Sequence, residues 1–330
     1  MRFLYLAFIV GFLLLLWFGR DWLLAQNEYL QVLAALAALG GLVVSTWALI
    51  GKKEPVREAE ASPTDDDLSE RYYRALASDC QRVDMSVIDP AAAMEKNRVQ
   101  LPEVYCDQRV TESRETSDRE EMGSRDPRPL LEAAGNAGMQ RVVILGPVGS
   151  GKSSFVNMFA WQVARSHLGK VPDGLAAGLV RRPLVRIRLR NVARAETGGA
   201  DAGVLWDAAR HELTERLNET SATALFSEYR EPLRTRGIWL LDGLDEVPEV
   251  RGARADLLDA IDALSESLGA AAQVIITSRP YAYARPEQRL AGWPLWHIQE
   301  MEEGQVADFL RGWYRIMAPR KNWDVETAEE

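Results

Sequence analysis

RVVILGPVGSGKSSFVNMFAWQVAR, residues 141–165, is the stretch whose reading decides the fold. Arg141 to Leu145 is a short apolar run with the character of a buried strand. It passes straight into GPVGSGKSS, residues 146–154, and then into a stretch of helical period. Strand, glycine-rich loop and helix follow one another with the G-x-x-x-x-G-K-[ST] spacing intact. Gly146, Gly149 and Gly151 let the backbone bend so that successive amides point at phosphate oxygens. A helix starting near Lys152 adds the positive end of its dipole. Gly146, Pro147, Val148, Gly149, Ser150, Gly151, Lys152, Ser153 and Ser154 are therefore the candidate cradle for the phosphates of ATP or ADP. Lys152 is expected to reach the β- and γ-phosphates, and Ser153 to offer its hydroxyl to Mg2+.

A second stretch, IWLLDGLDEV at residues 238–247, places Asp242, Asp245 and Glu246 at the end of another apolar run. Like charges crowded this closely raise one another's pKa unless a cation offsets them. Beside a phosphate cradle, that cation is Mg2+. Asp242 is the candidate metal carboxylate, acting through water. Asp245 or Glu246, with a slight preference for Asp245, is the candidate base that polarises the attacking water. A third apolar run, Gln273 to Thr277, leads into Ser278, Arg279 and Pro280, and is expected beside the first strand. There Ser278 or Arg279 would report on the γ-phosphate.

Leu184 to Leu189 alternates and predicts a half-buried strand near a sheet edge. Leu295 to Ile298 reads as a weaker last strand. Helical patterns cover Val204–Leu217, Ala253–Leu268 and Gly304–Ile316. Strands alternating with helices predict an α/β fold with a doubly wound, mostly parallel sheet.

Composition agrees with a globular core. The 330 residues are 47% hydrophobic and 26% charged, and the formal net charge is −9, which gives no sign of a nucleic-acid binder. The cysteines, Cys80 and Cys106, and the three histidines form no CxxC or HxxxH spacing, which argues against zinc. Both cysteines are expected to be small buried apolar residues.

The first fifty residues differ from the rest. Phe3–Phe18 is an unbroken apolar run, and Tyr29–Ile50 is nearly all apolar and long enough to cross a bilayer. Arg2 precedes the first run, and Lys52, Lys53 and Arg57 follow the second, whereas the loop between sets Arg20 against Asp21 and Glu28. The positive-inside rule then predicts a two-helix hairpin in the cell membrane with both termini and the nucleotide core in the cytoplasm. The rival reading is a cleaved signal peptide followed by a single anchor; no good small-x-small cleavage site supports it. Residues 1–51 are thus the expected hairpin, 52–67 a charged linker with Pro55 and Pro63, and 68–130 a helical and extended segment before the core. Within that segment, Leu68–Val83 carries apolar residues at helical spacing and 111–128 reads as a charged surface loop. The core spans 131–318, and 319–330 is a tail.

GPVGSGKSS, LLDGLDEV and VIITSRP together resemble the NACHT family of P-loop NTPases, within the signal-transduction class of AAA-related ATPases. The mark is Gly243 directly after Asp242, where general AAA+ proteins carry an acid, with Asp245 and Glu246 beyond it. YYRALASDCQRVDMSVIDP and LPEVYCDQRV are similar to the helix and strand that precede many bacterial NACHT cores. The resemblance spans Leu68 to Arg315 and is strong in the three motifs. It implies a switch that rests with ADP, exchanges it for ATP, hydrolyses slowly and forms a homo-oligomer when active; many bacterial members defend against phage. The family continues into a helical lid, a winged-helix domain and a sensor. No such segments follow here, which implies more chain or a partner.

Three functions follow: a membrane-anchored signalling NTPase, a membrane-perturbing effector whose N-terminal helices are the output, and a GTPase. The last lacks an NKxD-like base-reading motif, since TSR stands in that region.

Overall fold

The central strands form where the apolar runs stand. The structure, a computed structural model, describes residues 65–82, 99–116, 119–121, 126–136, 138–192, 201–249, 252–285 and 289–321. Strands β4 (Arg141–Leu145), β5 (Leu184–Arg188), β6 (Ile238–Asp242), β7 (Gln273–Ser278) and β8 (Leu295–Ile298) lie parallel in the order β8-β4-β7-β6-β5. In β4, β6 and β7 nearly every consecutive residue is buried. Continuous rather than alternating burial means that both faces of the sheet are covered, as parallel sheets require. Ile144, Leu240 and Ile276 at the centre are wholly buried; each such side chain contributes about 1.5–3 kcal/mol relative to exposure.

The sheet extends past β8 by antiparallel pairing. β1 (Arg109–Thr116) runs against β8 and carries β2 (Arg119–Glu121) and β3 (Arg128–Pro129). The charged surface loop expected over 111–128 is therefore corrected: much of it is strand. Charged side chains are compatible with, and even protect, an edge hairpin. Val110 and Ser113 supply the buried positions of β1.

β5 sits at the opposite edge, as its position in the pattern implied, but it is not half-buried. Arg186 is 4% exposed and pairs with Asp79, Cys80 and Asn157. The helix Asp65–Cys80 accounts for this. Its Leu68, Tyr72, Leu76 and Cys80 are buried at the expected helical spacing, and Tyr72 donates to the backbone of Leu184. The helix begins inside the stretch assigned to the linker, because three successive aspartates suit a helix N-terminus. Cys80 is buried as expected, whereas Cys106 is only half-buried, and both are free.

One further helix, Glu219–Arg236, lies where no element was expected. Asn218 caps it by accepting from the Ser221 amide at 2.8 Å. Its interior Pro232 and crowded charges mask the periodicity of Ala222, Leu225, Tyr229 and Leu233, all buried. Among the described residues no helix is long and apolar enough to cross a membrane; the hairpin expected at residues 1–51 lies outside them.

Candidate phosphate-loop site

The candidate residues meet at the carboxyl ends of the parallel strands, where ligands of open α/β sheets bind. The loop leaves β4 between β7 and β8 and delivers the chain to the helix Lys152–His167. Phe155, Val156, Phe159, Ala160 and Val163 bury one face of that helix, which fixes the direction in which its N-terminus points. Gly149 and Gly151 have φ of 78° and 85°, a left-handed backbone that glycine adopts without strain. The two reversals turn the loop around its own carbonyls. The Lys152 ammonium donates to the carbonyls of Gly146 at 2.6 Å and Pro147 at 2.8 Å. Burial lowers the Lys152 pKa; Asp245 and Asp242 oppose the shift, while Arg279 adds to it. These four side chains thus share one electrostatic neighbourhood.

Asp242 ends β6, which is separated from the loop strand β4 by β7. Its Oδ1 accepts from the Thr277 hydroxyl at 2.6 Å, and that hydroxyl accepts from the Gly243 amide at 2.9 Å. Gly243 has φ of 82° and starts a short 3-10 turn, Leu244–Glu246, anchored by buried Leu244 and Val247. The turn sends Asp245 and Glu246 to different partners. Asp245, 6% exposed, takes the Arg279 guanidinium Nε at 2.8 Å and the Arg279 backbone N–H at 3.2 Å. Glu246, half exposed, pairs with Arg190 at 3.3 Å.

Lys152, Asp242, Asp245 and Arg279 therefore come together, with Ser153 exposed at the start of the helix. Ser278 is buried, and its hydroxyl donates to the Arg279 carbonyl. Val148 is 72% exposed at the loop tip. A groove of about 530 Å³ borders the loop at Pro147 on the β8 side, lined also by Arg109, Ile298, Gln299 and Glu302. That is within the size range of small-molecule sites.

Among the described residues no three His, Cys, Asp or Glu side chains cluster to hold a metal ion by themselves. Mg2+ does not require such a cluster; it uses one or two carboxylates together with substrate phosphates and water. The residues fit that pattern, with the Asp242 carboxylate oriented by Thr277 and the Ser153 hydroxyl near the loop.

Three contributors escaped the sequence. Thr277 lay inside VIITSRP without an assigned part. Arg190 is 56 residues from Glu246, and nothing local links them. Gln108 packs so closely on the loop that a Cβ at Gly151 would stand 2.6 Å from its Nε2. Compared with models of known protein families and with curated proteins, the chain matches none.

Proposed function

We propose that the chain is a nucleoside-triphosphatase that binds ATP with Mg2+, acting as a slow nucleotide-gated switch of the NACHT kind. One observation carries the reading. A doubly left-handed glycine loop joins a central parallel strand to a helix whose first residue is Lys152, and Asp242 stands at the end of β6, with β7 lying between it and the loop strand.

The Lys152 bonds to loop carbonyls are exchangeable for phosphate oxygens, and the loop amides and helix N-terminus favour the same anion. Asp242 and Ser153 would hold Mg2+, which supplies charge neutralisation for phosphoryl transfer. Glu246 is assigned to orient the attacking water, because both Asp245 oxygens face Arg279 groups whereas Glu246 pairs, among the described residues, with the exposed Arg190. Residues 1–51 would anchor the core to the cell membrane from the cytoplasmic side, and the active form would be a homo-oligomer.

The test is binding of a labelled ATP analogue to the parent chain and to Lys152→Ala, with and without Mg2+. Mg2+-dependent binding that Lys152→Ala abolishes is expected. Equal affinity in the two proteins would end the reading.

A further inference from the structure

Arg279 is claimed twice. Its guanidinium Nε lies 2.8 Å from Asp245 Oδ2, and its backbone N–H donates to the other oxygen of the same carboxylate at 3.2 Å. The Asp245 side chain is almost fully enclosed, while Arg279 keeps 37% of its side-chain surface exposed. One partner is thus fixed in the turn and the other can leave. Both charges act electrostatically on Lys152. A carboxylate and a terminal phosphoryl group are like acceptors for a guanidinium: both are anionic and both accept in pairs. Arg279 cannot serve both fully at once.

We propose that Asp245 sets the discrimination between nucleoside triphosphate and diphosphate, by holding Arg279 in competition with the terminal phosphate. The inference rests on the nucleotide-binding reading above and adds to it a positioning role for Asp245. A triphosphate gains Arg279 only by drawing it from Asp245, so part of that contact is cancelled. A diphosphate, one phosphoryl group shorter, leaves the pair intact. The ratio of the two affinities is then held below the value that a free arginine would give. The competition also makes occupancy by triphosphate visible to the protein, because the Asp245 turn keeps or loses its cation with the identity of the nucleotide.

Asp245→Asn keeps an oxygen for the Arg279 backbone N–H and removes the charge that holds the guanidinium. Affinities of the full chain for a non-hydrolysable ATP analogue and for ADP, each with Mg2+, are to be measured by titration calorimetry. Asp245→Asn is expected to bind the triphosphate analogue roughly tenfold to hundredfold more tightly, the range of a charge-assisted hydrogen bond. ADP affinity should change far less. Arg279→Gln should lose the preference for triphosphate, and adding Asp245→Asn to it should restore none. The double variant separates this coupling from the plain gain of removing a negative charge near phosphates. If Asp245→Asn tightens triphosphate binding equally without Arg279, or shifts both nucleotides alike, the inference is overturned while nucleotide binding stands. If Asp245→Asn does not fold, Arg279→Gln decides: an unchanged triphosphate-to-diphosphate ratio overturns the proposal. A parent chain that binds neither nucleotide overturns the underlying reading itself.

Discussion

The Thr277 hydroxyl donates to Asp242 Oδ1 at 2.6 Å and accepts from the Gly243 amide at 2.9 Å, so one buried side chain on β7 fixes both the carboxylate that ends β6 and the turn that follows it. Thr277→Val preserves shape and removes the relay. The Gly243 amide is then left buried without its acceptor, which costs about 1–3 kcal/mol. The carboxylate, no longer oriented, should bind Mg2+-nucleotide more weakly. Thr277→Ser should keep both properties. Denaturant melts and nucleotide titrations of the two variants check this; a Val variant as stable as the Ser variant would remove Thr277 from the site.

Gly151 is constrained twice. Its φ of 85° is left-handed, and Gln108 blocks the space where a Cβ would go. Gln108 is itself tied down: Nε2 donates to the Cys106 carbonyl at 2.9 Å, and the Tyr105 hydroxyl donates to Oε1 at 3.2 Å. Gly151→Ala should destabilise by roughly 1–3 kcal/mol, of which about 1–2 belongs to the left-handed backbone. Adding Gln108→Ala removes the obstruction but not the backbone term, so recovery should be partial. Full recovery in the double variant would show that φ contributes nothing.

The fold was legible where burial was continuous. RVVIL, IWLLD and QVIIT are apolar at consecutive positions because both sheet faces are covered, and each became a strand within a residue of its expected ends. The edge hairpin was not legible, since β1 pairs through its backbone and its side chains carry charge. Pro232 hid the helix Glu219–Arg236, although capping by Asn218 was a readable signal. At the site, residues adjacent in sequence announced themselves. Their partners did not: Arg279 meets Asp245 and Arg190 meets Glu246 only because of the order in which β5, β6 and β7 pair.

His167 closes the helix that starts at Lys152. It stacks on Tyr73 with ring centroids 3.6 Å apart and donates from Nε2 to the Arg182 carbonyl at 2.9 Å. Burial pushes its pKa down to about 4; Arg181 and Arg236 add to the shift and the Arg182 bond opposes it. The folded state thus resists a proton that the unfolded chain accepts near pH 6.5. Its contribution is present above that pH and is lost as pH falls towards 4. Glu212 works in the opposite sense: burial raises it to about 7, so its contribution is lost as pH rises. Comparing the parent with His167→Phe cancels Glu212. Between pH 7 and pH 4.5 the parent should lose roughly 1–3 kcal/mol more than the variant. Parallel denaturation curves at the two pH values would refute the assignment.

Glu246 differs from Asp245 in freedom. Its side chain folds back over Gly243, where an added Cβ would lie 3.2 Å from Glu246 Cδ, and among the described residues its cationic partner is Arg190, with both side chains 46% exposed. An exposed pair of this kind is worth at most about 1 kcal/mol, so it yields readily to another contact. Glu246→Gln keeps the size of the side chain and removes its basicity. It should leave nucleotide affinity within about twofold of the parent and slow hydrolysis by roughly 10²–10⁴-fold, the usual contribution of a positioned general base. Arg190→Ala should alter stability by less than about 1 kcal/mol and leave hydrolysis intact, because Arg190 only parks the carboxylate. Phosphate release under single-turnover conditions, measured alongside binding, separates these outcomes. Hydrolysis by Glu246→Gln at the parental rate would return the role of base to Asp245, and Arg279 would then have to leave that carboxylate before each turnover.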